Sequence, residues 1–518
     1  HQLHRRQRQM CIRDSLIMSN HLYDRVFAPH EDNPKPFLIG ETQTLSYAIF
    51  HEQVNKLAHA LIASGLKTGD RVAVQAAKSN TQLALYVATV KAGGVYLPLN
   101  TSYTAHELEY FISNAQARLV VVDEKAKQAV TPIAEAQGAN LLTLNADESG
   151  TLPTLAEQQA AQFEAVARGS EDLAAILYTS GTTGRSKGAQ LCHRNLHSNT
   201  EVLRDFWQFK EDDVLLHMLP IYHTHGLFVA CNLLAMVGGS MIFLPKFNAD
   251  KALSFLPQAT TMMGVPTFYT RLLNEERFTR EASQHMRLFI SGSAPLLAET
   301  HKSFAARTGK KILERYGMTE TNMSTSNPYD GERIAGTVGV PLPGVELRIA
   351  DAKTGKSVPD GEIGIIELKG DNVFTGYWQM PEKTKESFRD DGYFITGDMA
   401  RIDEHGYIVI VGRDKDLIIS GGLNVYPKEI ESMVDELEGV TESAVIGVPH
   451  PDFGEAVVAV IVAADKTLNE ESVMEFLANK IAKFKQPKAV FFVEALPRNT
   501  MGKVQKVTLR AEHKELFV

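Results

Sequence analysis

The stretch AAILYTSGTTGRSKG, residues 174–188, runs an apolar strand directly into a loop of Gly, Ser, Thr and Lys. Such a loop offers backbone N–H groups, hydroxyls and a cation, the groups that phosphate oxygens need. It is not a Walker A loop, which places a glycine directly before the lysine; here Ser186 fills that slot ahead of Lys187. A flexible surface linker would not follow a buried strand with hydroxyls at Thr179, Ser180, Thr182 and Thr183 around Gly181. The segment therefore reads as a phosphate-binding loop at the carboxyl end of a strand, where ligands of open α/β sheets gather.

Strand, helix and strand follow one another on the N-terminal side of this loop in RVAVQA, TQLALYVATVKAGG and VYLPLN, residues 71–100. The phrase returns beyond it as VLLHMLP, HGLFVACNLLAMVGG and SMIFLP, residues 214–245, and each helix closes on a Gly-Gly pair suited to a C-cap. Two such phrases predict an α/β fold: a large N-terminal domain of two doubly wound, mostly parallel α/β subdomains. From about residue 340 to 412 the texture changes to short β segments separated by turns, a barrel-like portion of the same domain. After GRDKD the chain restarts with LIISGGLNVYPKEIESMVDEL, which predicts a small, mobile α+β C-terminal domain. There Asn424 to Pro427 reads as a helix start, with an apolar stripe at Ile430, Val434 and Leu437. The expected division is residues 18–413 for the large domain, 414–416 for a hinge and 417–518 for the small domain.

A chain of 518 residues, 44% hydrophobic and 22% charged, suits a soluble protein of two or more domains. Its formal charge of −9 argues against bulk nucleic-acid binding. No stretch approaches the roughly 20 apolar residues of a bilayer-spanning helix, so no stable membrane insertion is expected. Three cysteines, Cys11, Cys192 and Cys231, make neither a disulfide framework nor a zinc cluster, which suits a reducing, cytoplasmic setting. HQLHRRQRQMCIRDS has no apolar run for a secretory signal. It could pass for an Arg-rich transit peptide, but residues 1–17 read better as a non-native or disordered leader, with Met18 as the start.

The loop SGTTGRSKG, YGMTE at 316–320, TGD at 396–398, GRDKD at 412–416 and PRNTMGK at 497–503 resemble, in order and spacing, the signature motifs of the AMP-forming acyl-CoA synthetases. The resemblance runs from about Met18 to Val518 and implies ATP, Mg2+ and coenzyme A as cofactors and co-substrates. Activation of a carboxylate through an acyl adenylate, then transfer to CoA with release of AMP, is the implied chemistry. By the resemblance Thr179, Ser180, Gly181, Thr182, Thr183 and Lys187 hold phosphates, Thr319 contacts the α-phosphate and Glu320 binds the metal. Taken by themselves, Thr319 and Glu320 would more often mark a helix start. Ser293, Arg315, Tyr316 and Gly317 would border the nucleotide, with Tyr316 stacked on adenine; a core aromatic is the alternative for that ring. Asp398 and Arg413 would hold the ribose, and Lys503 would be the catalytic cation of adenylation. Lys415 is the implied hinge, and Gly421 and Gly422 would line the pantetheine path once the small domain turns.

Arg271 in GVPTFYTRLL, residues 264–273, is unusual for a pocket that takes apolar acids. A guanidinium fork fits a carboxylate bidentately, although a helix-surface arginine in salt bridges explains the spacing equally well. ERYGMTETNMSTSNPYDGER and ITGDMARID with GGLNVYPKEIES look most like malonyl-CoA synthetases, so malonate, or methylmalonate, becomes the expected acid. The resemblance then gives Arg271 and Ser291 the second carboxylate. His223 and His225 in PIYHTHG lack the ligand cluster of a zinc site and would lie on the substrate side. Ligases for medium-chain or aryl acids, stand-alone adenylation enzymes for a carrier protein, and a non-catalytic nucleotide sensor are the competing readings. An exposed catalytic lysine is also a candidate for an acetyltransferase and deacetylase pair acting on Lys503.

Overall fold

The computed structural model describes residues 20–179, 186–420, 423–478, 480–499 and 502–517. The leader 1–17 and the predicted ligands Ser180, Gly181, Thr182, Thr183, Gly421 and Gly422 lie outside the described residues. The chain divides into two compact units. One comprises 1–263, 318–322 and 371–381; the other comprises 264–317, 323–370 and 382–518.

The first unit is doubly wound α/β. Its seven-stranded sheet has the order Gly376–Tyr377, Lys187–Cys192, Leu173–Thr179, Val95–Pro98, Arg71–Gln75, Ala117–Val122, Asn140–Thr143. The last five of these strands pair in parallel. Being covered on both faces, they are almost continuously apolar, as ARLVVV at 117–122 shows. Helix Asn80–Lys91 is buried along nearly its whole length, and Gly93 just beyond it turns back at φ +75°. A second parallel set places Val214–His217 between Thr261–Gly264 and Ser240–Phe243, with Pro36–Ile39 beyond. The helix of the second expected phrase opens as a π-helical turn, His225–Cys231, before the α-helix Asn232–Val237. Among the described residues no helix is long and apolar enough to cross a membrane.

In the second unit, strands Leu288–Ser291 and Leu313–Met318 are parallel, with Ser291 opposite Glu314. The turn-rich region forms a four-stranded antiparallel sheet ordered Glu346–Ala350, Gly364–Lys369, Phe394–Ile402, Ile408–Arg413. Glu367 stands fully buried in this sheet, its carboxylate bonded by Arg348 Nε at 2.8 Å and Arg389 Nε at 2.8 Å. Only paired cations make a wholly desolvated carboxylate tolerable.

The C-terminal segment is a five-stranded sheet built on the hairpin Val440–His450 and Gly454–Ala463. Period-2 alternation divides its side chains between two cores. Val445, Val457 and Ile461 pack with Ile430, Val434, Val473 and Leu477, whereas Ile446, Val458 and Val460 pack with Leu496 and Leu509. The helix expected to start within Asn424 to Pro427 begins at Pro427, with Tyr426 at the N-cap position and Asn424 in strand Leu423–Val425. Pro427 takes the first helical position, where its missing N–H has no cost, and Leu437 packs from beyond the helix end. Lys506, which the sequence reads as an ordinary surface charge, pairs at 2.5 Å with the buried Glu431.

Replacing Glu367 by Ala leaves two arginines facing a desolvated hole. We expect a loss of about 3–5 kcal/mol in urea unfolding, read from the fluorescence of the full-length chain.

Candidate active site

Thr179 and Lys187 are register partners at the end of the hairpin that flanks the glycine-rich loop. The Thr179 hydroxyl lies 3.4 Å from the Lys187 carbonyl. The Lys187 ammonium stands 4.3 Å from the centre of the Tyr377 ring, a cation–π arrangement. Tyr377 in turn donates its hydroxyl to Glu320 Oε1 at 2.9 Å. Glu320 is buried in a tight turn between strands Leu313–Met318 and Asn322–Ser326, so the Thr319-Glu320 pair opens no helix. The turn is held to the 371–378 segment by Phe374 N–H donating to the Glu320 carbonyl at 2.7 Å and by Asn372 Nδ2 donating to the Thr321 carbonyl at 2.7 Å. Tyr377 was not anticipated. Its signal was the aromatic pair in GYW, residues 376–378, which composition alone cannot separate from core packing. Among the described residues no group of three or more His, Cys, Asp or Glu could hold a metal ion. One buried carboxylate fits Mg2+, which takes one or two carboxylates together with substrate phosphates.

In the second unit Asp398 and Arg413 are register partners on adjacent antiparallel strands and form an ion pair at 2.5 Å. Tyr316 donates its hydroxyl to the other Asp398 oxygen at 2.6 Å. Burial, then the neighbouring carboxylate, holds the Tyr316 phenol well above its ordinary pKa, so it stays a donor. Thr396 Oγ1 accepts the Asp398 N–H at 3.0 Å and passes a hydrogen bond to the Ile366 carbonyl. The sequence readings for Tyr316, Asp398 and Arg413 thus fall on one connected cluster.

A third group surrounds Ser291-Gly292-Ser293. Ser291 is buried and its hydroxyl has no hydrogen-bond partner. Ser293 takes a left-handed backbone at φ +72°. Gly292 lies flat against the Arg315 guanidinium; a Cβ there would sit 2.4 Å from Arg315 Cζ. Arg315 is only 3% exposed, and its Nε and Nη2 have no partner. Burial lowers its hold on a proton. The neighbouring Glu314 cannot neutralise it, because successive strand residues point to opposite faces. Glu314 is itself buried, which pushes its carboxyl up to about 8. Arg271 lies on helix Pro266–Leu273 of the same unit and is exposed. The two arginines thus differ in burial: Arg271 is exposed and Arg315 is desolvated.

His225 is buried at the start of the π-helical turn, and His223 is half-buried two residues earlier. Lys415 is exposed in the 3-10 turn Asp414–Asp416, where Asp416 pairs with Arg510. Lys503 is exposed just before helix Lys506–His513.

The model of the AMP-binding enzyme family matches residues 27–378, and that of the AMP-binding enzyme C-terminal domain matches 429–503. The malonate–CoA ligase of Arabidopsis thaliana is 38% identical over 483 residues, 86% of this chain and 78% of that protein. A mitochondrial malonate–CoA ligase of Mus musculus is 35% identical, with 86% and 82% covered. The crystal structure of ATP-bound MatB from Rhodopseudomonas palustris superposes with a TM-score of 0.95 at 57% identity, covering 97% of this chain and all of that one (100%). With both family models matched and the clustered motifs in place, the chain belongs to the AMP-binding enzyme family.

Proposed function

We propose that the chain is an ATP-dependent ligase that joins malonate, or its α-methyl homologue, to coenzyme A through an acyl adenylate. The observation that carries the choice of acid is Arg315: a buried guanidinium with two unpartnered donors, pressed on Gly292 beside the unpartnered Ser291 hydroxyl. Such a charge is costly unless an anion completes it. A second carboxylate on the substrate is that anion, taken by Arg315 and Ser291 with Arg271 on the solvent side. An aryl or medium-chain acid would leave the charge unanswered. The names of the malonate–CoA ligases among the relatives support the same reading.

In the first half-reaction a substrate carboxylate oxygen attacks the α-phosphorus of ATP, and the bond to pyrophosphate breaks. Such transfers need positioning and neutralised charge more than covalent help. Thr179, Ser180, Gly181, Thr182, Thr183 and Lys187 would cradle the outer phosphates, with Thr319 on the α-phosphate. Glu320, oriented by Tyr377, would hold Mg2+, which offsets charge on phosphate oxygens when bound. Asp398, set by Arg413 and Tyr316, would receive the ribose, with Tyr316, Gly317 and Ser293 along the base. Lys503 would offset charge on the attacking and bridging oxygens. In the second half-reaction the CoA thiolate attacks the acyl carbon and AMP leaves. His223 and His225 would border the acyl group, and Lys415, Gly421 and Gly422 would serve the turn of the small domain.

Arg315→Met should lower kcat/KM for malonate about 10- to 100-fold, the value of a charge-assisted hydrogen bond set. Propionate turnover should hold or rise, with Arg271→Ala run alongside. A rise in the KM for ATP that is equal for every acid would instead assign Arg315 to the nucleotide. Lys503→Ala should abolish malonate-dependent pyrophosphate release yet leave thioester formation from preformed malonyl-AMP largely intact. Equal loss of both steps would make the lysine structural.

A further inference from the structure

Lys503 sits at the tip of a hairpin whose two arms are anchored in one core. Leu496 before it and Leu509 after it are both buried against Ile446, Val458 and Val460. Between these anchors Arg498 and Val504 form an antiparallel bridge, and Gln505 N–H donates to the Pro497 carbonyl at 2.8 Å. Asn499 closes the turn from both sides. Its N–H donates to the Lys503 carbonyl at 2.9 Å, its own carbonyl accepts the Gly502 N–H at 2.9 Å, and its Oδ1 accepts the Lys503 N–H at 3.0 Å. Gly502 takes φ +75°, a conformation that side chains other than glycine rarely adopt.

A second restraint comes from outside the hairpin. The Arg498 guanidinium donates to the Gly502 carbonyl at 2.5 Å and also pairs with Glu442 on strand Val440–His450. The peptide unit directly before Lys503 is thereby tied to the sheet through an ion pair. The pair is partly exposed, with side-chain accessibilities of 31% and 26%. Pairs of that kind add little to stability. What this one does supply is direction: a planar fork holding one carboxylate and one carbonyl admits few orientations of the loop.

We propose that Arg498, Glu442 and Asn499 are positioning residues that fix the Lys503 backbone for adenylation. The inference rests on the reading of Lys503 as the adenylation lysine. A lysine side chain is a flexible four-carbon stem, so the reach of its ammonium is set by where its Cα is held. Misplacement by about 1 Å can cost on the order of a hundredfold in rate. None of the three residues touches a reacting atom in this role; each acts through Lys503.

The test separates the half-reactions in full-length Arg498→Met, Glu442→Gln and Asn499→Ala proteins, with Lys503→Ala as control. Malonate-dependent pyrophosphate release should fall about 10- to 100-fold in kcat, with KM for ATP and malonate within about threefold. Thioester formation from malonyl-AMP and CoA should stay within about twofold, which also shows that the variants fold. Glu442→Asp, which keeps the charge, should recover part of the loss. Equal decline of both steps, or unchanged pyrophosphate release in all three variants beside an inactive Lys503→Ala, overturns the positioning role. If Lys503→Ala itself keeps adenylation, the reading of Lys503 fails instead.

Discussion

Parallel strands buried on both faces leave a polar side chain almost nowhere to stand except at their carboxyl ends. The rest of this molecule follows from that constraint. Strand Leu173–Thr179 is apolar until its last residues, and the glycine-rich segment follows where burial ends. Strand Leu288–Ser291 is buried throughout and ends on the unpartnered Ser291 hydroxyl. Strand Leu313–Met318 runs directly into the turn that carries Glu320. The sheets do not merely support the chemistry; they decide where it can be.

Charge in these buried places is handled in two opposite ways. Glu367 is fully desolvated and answered by two arginines, so its neighbourhood is closed and its role ends with the fold. Arg315 is also buried, and its Nε and Nη2 have no hydrogen-bond partner. Asp398 is buried as well, and Arg413 and Tyr316 orient its two oxygens.

Much of this was legible in the chain. The strand–helix–strand phrases, the change of texture after about residue 340 and the small α+β domain all follow from hydrophobic period and turn residues, which are local properties. Tyr316, Asp398 and Arg413 were named from motifs and lie in one cluster. The helix start read at Asn424 to Pro427 falls at Pro427, with Asn424 taken into the preceding strand. Lys506 was misread because nothing local announces Glu431, 75 positions earlier. Tyr377 was missed for the same reason, since its partner Glu320 lies on a separate segment.

By itself, then, the sequence determined the element types, the order of the motifs and the kinds of side chain available at each. Those depend on propensity, periodicity and composition, which a chain carries in any conformation. Only the tertiary structure decided that Arg315 is buried while Arg271 is exposed. Two arginines are chemically identical on the page; burial makes them different, and it is set by residues far away in the chain. The same holds at Lys503, whose motif named the lysine but whose restraint runs through Glu442 on another strand.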